Sequence, residues 1–302
     1  MHETLPIEEV AEGLKAESAV DVTQALTYLS HYGYLAGGII GAGPWAAVVS
    51  LGAALSTFQH MAGLPVTGEL DEATLLKMSQ PRCGHPDFYP ASTVLGNRVA
   101  AMIEEARWRK TSLTYFVGGY VNGIPHDEQL ADLASAWHDW LTAASGGLVK
   151  IERTPSQANA DMVIATGQGA AQNFDGPSGT LAWAYLPTGN DRQLLMRFDL
   201  AEQWTRTGGG IRFRNVACHE FGHLLGLEHS RVSTALMAPF YSPGVVSPQQ
   251  DDVARIRALY PPVPGPIPPT PGNPPTPPPD RTRLVLLEFN ANFTEITKAS
   301  VS

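Results

Sequence analysis

Three histidines and a glutamate in HEFGHLLGLEH, namely His219, Glu220, His223 and His229, have the types and spacing to do chemistry. Residues four apart on a helix share a face, so His219 and His223 turn both imidazoles to one point, with Glu220 one position on. Gly226, three residues after His223, can end the helix with a positive φ, and the turn it allows brings back His229 as a third nitrogen ligand. Three neutral imidazoles leave a fourth tetrahedral position for water, whose pKa a zinc ion lowers towards about 7. Glu220 can then take that water's proton as it attacks a carbonyl carbon, and return the proton to a leaving amine. Cys218 points about 100° away from His219 on the same helix and reads as a packed, inert thiol.

HExxHxxGxxH followed by STALMAPFY, Ser233 to Tyr241, resembles the metzincin metallopeptidases, and specifically the matrixin (matrix metalloproteinase) family. The resemblance makes Met237 the residue of the Met-turn, a hydrophobic floor beneath the ligands. It puts Pro239 and Tyr241 in the wall of the pocket for the substrate residue after the scissile bond, and Asn215 at the base of that pocket, where a polar side chain shortens or wets it. WRKTSLTYFV resembles the family's first strand, SAWHDWL its first helix and ADMVIA the strand after it. FDGPSGTLAWAY resembles its calcium loop followed by the edge strand, with Leu181 and Ala182, on which an extended peptide substrate pairs. The implied calcium ligands are Asp175, Gly176, Ser178, Thr180, Asp199 and Glu202, oxygen donors of the kind calcium takes. One departure matters. The positions that match the family's structural zinc site are Gln168, Ala170, Trp183 and Arg197, and a second calcium loop is altered to NDRQLLM. The expectation is therefore one catalytic zinc and one calcium, with Trp183 and its neighbours filling the vacated space by packing.

The segment before the catalytic region resembles a peptidoglycan-binding-like fold, carried by YLSHYGYL and ALSTFQHMAGLPVTGELDEATLLKM, and it ends in PRCGHPD. In matrixins this unit is a propeptide and that motif a switch. A thiolate binds zinc at about 2.3 Å and takes the place of the water, so the resemblance implies that Cys83 is the zinc ligand of a latent form. Arg82 and Asp87 are expected to pair across the loop, and His85 reads as an exposed loop histidine. The other reading is a cell-wall binding protein whose peptidase domain is secondary or inactive; the intact Glu220 counts against inactivity. No dibasic convertase run stands between Asp87 and Leu113, which leaves the group from Arg107 to Lys110 as a weak activation site.

Positioning these residues calls for two folded units. Val22, Ala25, Leu26 and Leu29 recur at helical spacing, as do Val48, Leu51, Leu55 and Phe58; Pro44 suits a first turn, and Asp71 can cap a third short helix. Further on, Arg98 to Arg107 reads as a short helix, LTYFV, LVKIER and DMVIAT as strands, HDEQLADLASAWHDWLTAA as a long helix, and 214 to 226 as the active-site helix. The fold class is α/β (α+β): a metzincin catalytic domain with a mixed, mostly parallel sheet, preceded by a small three-helix propeptide domain. Expected boundaries are 1–80 for the propeptide, 81–106 for the switch loop and connector, 107–261 for the catalytic domain, 262–280 for a linker and 281–302 for a short tail. From Pro261 to Asp280, 12 of 20 residues are proline, an extended spacer.

The 302 residues carry 43 % apolar and 16 % charged side chains and a net charge of −9, with no basic surface for nucleic acid. Two cysteines exclude a disulfide-stapled domain. The N-terminus lacks the marks of a secretion signal, and the uncharged run from Val22 to Gly68 is broken by Gly and Pro in a way that favours a buried helical hairpin over a membrane anchor. Protein or peptide substrates, a possible cell-wall polymer, a monomer and an extracellular or cell-surface location follow from the resemblance. Without the family's C-terminal propeller, the collagen-type recognition that depends on it is expected to be missing.

Overall fold

A computed structural model of the chain describes residues 19–35, 44–88, 107–261, 285–289 and 296–301. The N-terminal unit is three helices, α1 (Ala19–His31), α2 (Pro44–Ala62) and α3 (Glu72–Met78). Val22, Ala25 and Leu29, at helical spacing, close over Leu51, Ala54, Leu55 and Phe58. Asp71 caps α3 by accepting from Thr74 N at 2.8 Å. Buried Gln59 ties α2 to the turn before α3: its Nε2 donates to Thr67 Oγ1, Glu69 O and Thr74 Oγ1 at 2.8 to 2.9 Å, and its Oε1 accepts from the backbone of Thr67 and Gly68.

The chain leaves this unit as a two-residue strand, β1 (Arg82–Cys83), which joins the sheet of the larger domain. There follow β2 (Ser112–Val117), α4 (His126–Ala144), β3 (Lys150–Arg153), β4 (Met162–Gly167), β5 (Thr180–Ala184) and β6 (Leu194–Asp199). A short parallel pair, β7 (Trp204–Thr205) and β8 (Ile211–Arg212), leads into α5 (Phe213–Leu224), and α6 (Gln250–Leu259) comes last. The sheet order is β1-β5-β6-β4-β2-β3, parallel throughout except where β5 runs antiparallel to β6. Leu113, Tyr115, Met162, Ile164, Met196 and Phe198 from the strands share one core with Trp137 and Trp140 of α4 and Phe221 of α5. Trp137 and Phe221 stack face to face, so the two helices lie in direct aromatic contact.

The expected strands and long helix thus stand where the sequence put them. The helix expected over Arg98 to Arg107 and most of the proline spacer lie outside the described residues. Beyond the spacer, β9 (Val285–Phe289) and β10 (Ile296–Val301) pair antiparallel within a separate compact unit. Among the described residues no helix is long and apolar enough to cross a membrane. Gln59→Leu strips five hydrogen bonds from the N-terminal unit, and each group left buried and unpaired costs roughly 1–3 kcal/mol; the expected readout is earlier urea unfolding of the full chain.

Candidate metal centre

Helix α5 carries His219 and His223 one turn apart, and the chain reverses at Gly226, whose φ of 106° is left-handed. His229 then meets the other two, and all three imidazoles are buried. Their tautomers follow from their partners. His219 Nδ1 faces Leu236 O at 2.7 Å, His223 Nδ1 faces Leu227 O at 2.7 Å, and His229 Nδ1 faces the Asp87 carboxylate at 2.6 Å. All three acceptors require the proton on Nδ1, which leaves every Nε2 with a bare lone pair.

Those lone pairs converge, with His223 Nε2 3.3 Å from His229 Nε2 and 3.5 Å from Cys83 Sγ. The four ligand atoms of Cys83, His219, His223 and His229 lie within 4.8 Å of one another. Tetrahedral zinc with bonds of about 2.05 Å to nitrogen and 2.3 Å to sulfur sets nitrogens about 3.3 Å apart and sulfur about 3.6 Å from nitrogen. The donor set fits zinc, and the His223–His229 and His223–Cys83 separations match its tetrahedral spacing. Two further observations agree: His219 Nε2 and both Glu220 oxygens are buried without a hydrogen-bond partner. Burial holds the His219 imidazole down at about 3 and His223 well below its ordinary value, so the ligands stay neutral. Burial, and then the Glu220 charge, push the Cys83 thiol well up, so a thiolate there needs a cation beside it.

The floor of the centre is built by residues the motif does not contain. Met237 is fully buried, and a Cβ on Gly222 would collide with its sulfur and with Trp140, so the turn approaches α5 only because residue 222 is glycine. Buried Asp252 of α6 accepts from Leu236 N at 2.7 Å and Met237 N at 3.0 Å, fixing the carbonyl that orients His219.

The segment Pro81 to Gly84 is gripped from both sides. Arg82 N donates to Gly179 O and Gly84 N to Ala182 O on the β5 side, at 3.0 and 2.8 Å. On the other side Cys83 N donates to Pro239 O at 3.0 Å and Tyr241 N to Pro81 O at 2.9 Å. A Cβ on Gly84 would press on Thr180 and Trp183, so the residue after Cys83 must be glycine. Arg82 and Asp87 pair at 2.7 Å as expected, with both side chains almost fully buried, and the guanidinium lies 3.5 Å over the Tyr32 ring. His85 departs from expectation. It is 5 % exposed, stacked on His223 at 4.3 Å with its Nδ1 3.2 Å from Ala184 O, because the loop folds inward over the ligands; burial holds its imidazole down at about 3.

The matrixin family model matches residues 107–261, just over half of the chain. The chain belongs to the matrixin family. A peptidoglycan binding domain model matches residues 18–78, the three-helix unit. Among relatives, "Matrix metalloproteinase-19" of Homo sapiens is 35 % identical over 237 residues, 77 % of this chain and 44 % of its own length. "Interstitial collagenase" of Equus caballus is 36 % identical over 222 residues, 71 % of this chain and 44 % of its own, and "Stromelysin-1" of the same species 36 % over 217, 70 % and 43 %. The chain spans less than half the length of these relatives.

The remaining matrixin positions are distributed as follows. Leu181, Asn215, Pro239 and Tyr241 line one cleft with His219 and Glu220, and Ala182 lends its carbonyl to Gly84. Asn215 does sit in that cleft, but its Nδ2 donates to Pro243 O at 3.2 Å, which ties its amide to the wall. In the loop after Phe174, Gly176 and Ser178 both take left-handed backbone, Asp175 accepts from Thr180 N, and Glu202 accepts from Ser178 N, each at 2.7 Å. Asp199 keeps one buried oxygen without a partner, and burial raises the Asp199 and Glu202 carboxyls, with Asp175 adding like charge. A cation would relieve both raised carboxyls, so the donors suit calcium, although they do not converge as the sulfur and imidazoles do. At the positions matching a structural zinc, the filling is polar as well as packed. Gln172 Oε1 accepts from Arg197 Nη1 and Gln168 N at 3.2 Å, and Gln172 O accepts from Trp183 Nε1 at 2.9 Å.

Burial pushes the Glu220 carboxyl from 4.5 up to about 8. Between those values the unfolded chain has lost this proton and the folded, metal-free chain keeps it, so stability falls as pH rises. In chelator-treated protein, the urea midpoint of Glu220→Gln is expected to exceed that of wild type by a margin that widens from pH 4.5 to about 8; a margin flat with pH contradicts the burial argument.

Proposed function

We propose that the chain is a latent zinc endopeptidase that hydrolyses peptide bonds in proteins and is held inactive by Cys83. The observation that carries this reading is the meeting of three bare Nε2 atoms with the Cys83 sulfur, beside a Glu220 whose oxygens have no partner. His219, His223 and His229 hold the metal, and when bound there zinc supplies Lewis acidity and a water of lowered pKa. With zinc bound, Glu220 would be ionised beside the cation and could take the proton of the attacking water and deliver it to the leaving amine. Cys83 occupies the place that water needs. Latency therefore comes from one sulfur, supported by the backbone grip on Pro81 to Gly84.

Substrate binding reuses that grip. An extended peptide takes the place of Pro81 to Gly84, with its backbone on Gly179 and Ala182 at one edge and on Pro239 and Tyr241 at the other. The side chain after the scissile bond enters the cleft of Leu181, Asn215, Pro239 and Tyr241. Asp175, Gly176, Ser178, Thr180, Asp199 and Glu202 would hold calcium, and the ion would brace the loop leading into β5. An extracellular or cell-surface setting and a monomeric enzyme fit this reading.

The family match over 18–78 favours a second role, in which the three-helix unit binds cell-wall polymer. A pull-down of the N-terminal region on peptidoglycan, next to proteolysis before and after its removal, separates the two. Strong retention with no gain in proteolysis favours the wall-binding reading alone.

The direct test is a metal count and peptidase assay on wild type, Glu220→Ala and Cys83→Ser. One zinc per chain, loss of at least about 100-fold in turnover for Glu220→Ala, and activity without processing for Cys83→Ser are expected. Two zincs, or a Cys83→Ser chain as latent as wild type, contradict the account.

A further inference from the structure

Two of the three histidines are oriented by backbone carbonyls of the catalytic domain itself, Leu236 O and Leu227 O. The third is not. His229 Nδ1 donates to Asp87 Oδ1 at 2.6 Å, and Asp87 belongs to the segment that latency requires. Both side chains are fully buried, so no water competes for the proton. Asp87 is itself held in place by Arg82 Nη2 at 2.7 Å, by the Tyr34 hydroxyl, and by its own N–H on Tyr32 O at 2.9 Å.

We infer that Asp87 is a positioning residue for the metal centre: its carboxylate fixes His229 in the tautomer and orientation that present Nε2. The inference rests on the zinc reading above. A carboxylate behind a ligating imidazole raises its basicity and locks its ring, and losing such a partner typically lowers metal affinity about 10- to 100-fold. The N-terminal segment therefore attaches to the centre twice, through sulfur as a ligand and through a carboxylate behind one. Its removal takes away both, so the processed enzyme holds zinc more loosely than loss of the thiolate alone explains, and His229 must then find another partner.

The test measures zinc release to an excess of a colorimetric chelator from the full chain, without any activity assay. In the Cys83→Ser background, which removes the sulfur, adding Asp87→Asn is expected to speed release about 10-fold or more. In the zinc-loaded chain the same change should move the His229 Nδ1 proton resonance upfield, as a charged acceptor is replaced by a neutral one. Tyr34→Phe strips another hydrogen bond from the same carboxylate without touching His229, and its release rate should match its parent's. Equal rates for Cys83→Ser with and without Asp87→Asn overturn the inference alone. Equal acceleration by Tyr34→Phe also overturns it, by making the effect one of loop loosening. Failure of wild type to take up zinc overturns the site reading and this inference with it.

Discussion

Three imidazole lone pairs turned towards one another in a buried pocket, two of them 3.3 Å apart, favour a positive charge between them. Much of the domain is arranged to keep them there. Helix α5 sets two of the nitrogens, the left-handed turn at Gly226 returns the third, and carbonyl or carboxylate acceptors put every proton on the far side of its ring. The aromatic packing of α4 on α5 and the clamp from Asp252 onto the Met237 turn stiffen the frame around them. Burial around these groups lowers the His219 imidazole and raises the Glu220 carboxyl, an environment in which a cation is favoured.

The same cleft has two claimants, in the proposed reading. The backbone groups of Gly179, Ala182, Pro239 and Tyr241 that would receive a substrate are satisfied by Pro81 to Gly84. The grip does more than place a sulfur. Phe240, between the two wall residues, meets Phe58 of the N-terminal unit at 6.2 Å and lies under Lys77 at 4.0 Å. Such contacts tie the N-terminal unit to the cleft wall by aromatic and backbone groups as well as by the sulfur.

What the sequence disclosed follows how local the determinants are. Spacing within eleven residues singles out His219, Glu220, His223 and His229, and local composition and pattern place α4 and the strands β2, β3 and β4. Family resemblance found Cys83 and the Arg82–Asp87 pair, since both lie inside one short motif. Contacts between distant segments were not legible. Nothing in the sequence singles out Asp252, Gly222 or Gln172; each acquires its role only when the chain folds another segment onto it. His85 was misread for the same reason. A polar residue between Gly and Pro looks exposed until the loop turns over His223. Asp87 shows both cases, with its Arg82 partner in the motif and its His229 partner 142 residues away.

The central claim is that sulfur from the N-terminal segment completes the metal centre, and zinc K-edge X-ray absorption on the zinc-loaded full chain tests it most directly. The account predicts one sulfur at about 2.3 Å with three nitrogens at about 2.0–2.1 Å, and loss of the sulfur shell in Cys83→Ser. A wild-type shell of nitrogen and oxygen alone, unchanged by that substitution, would contradict it.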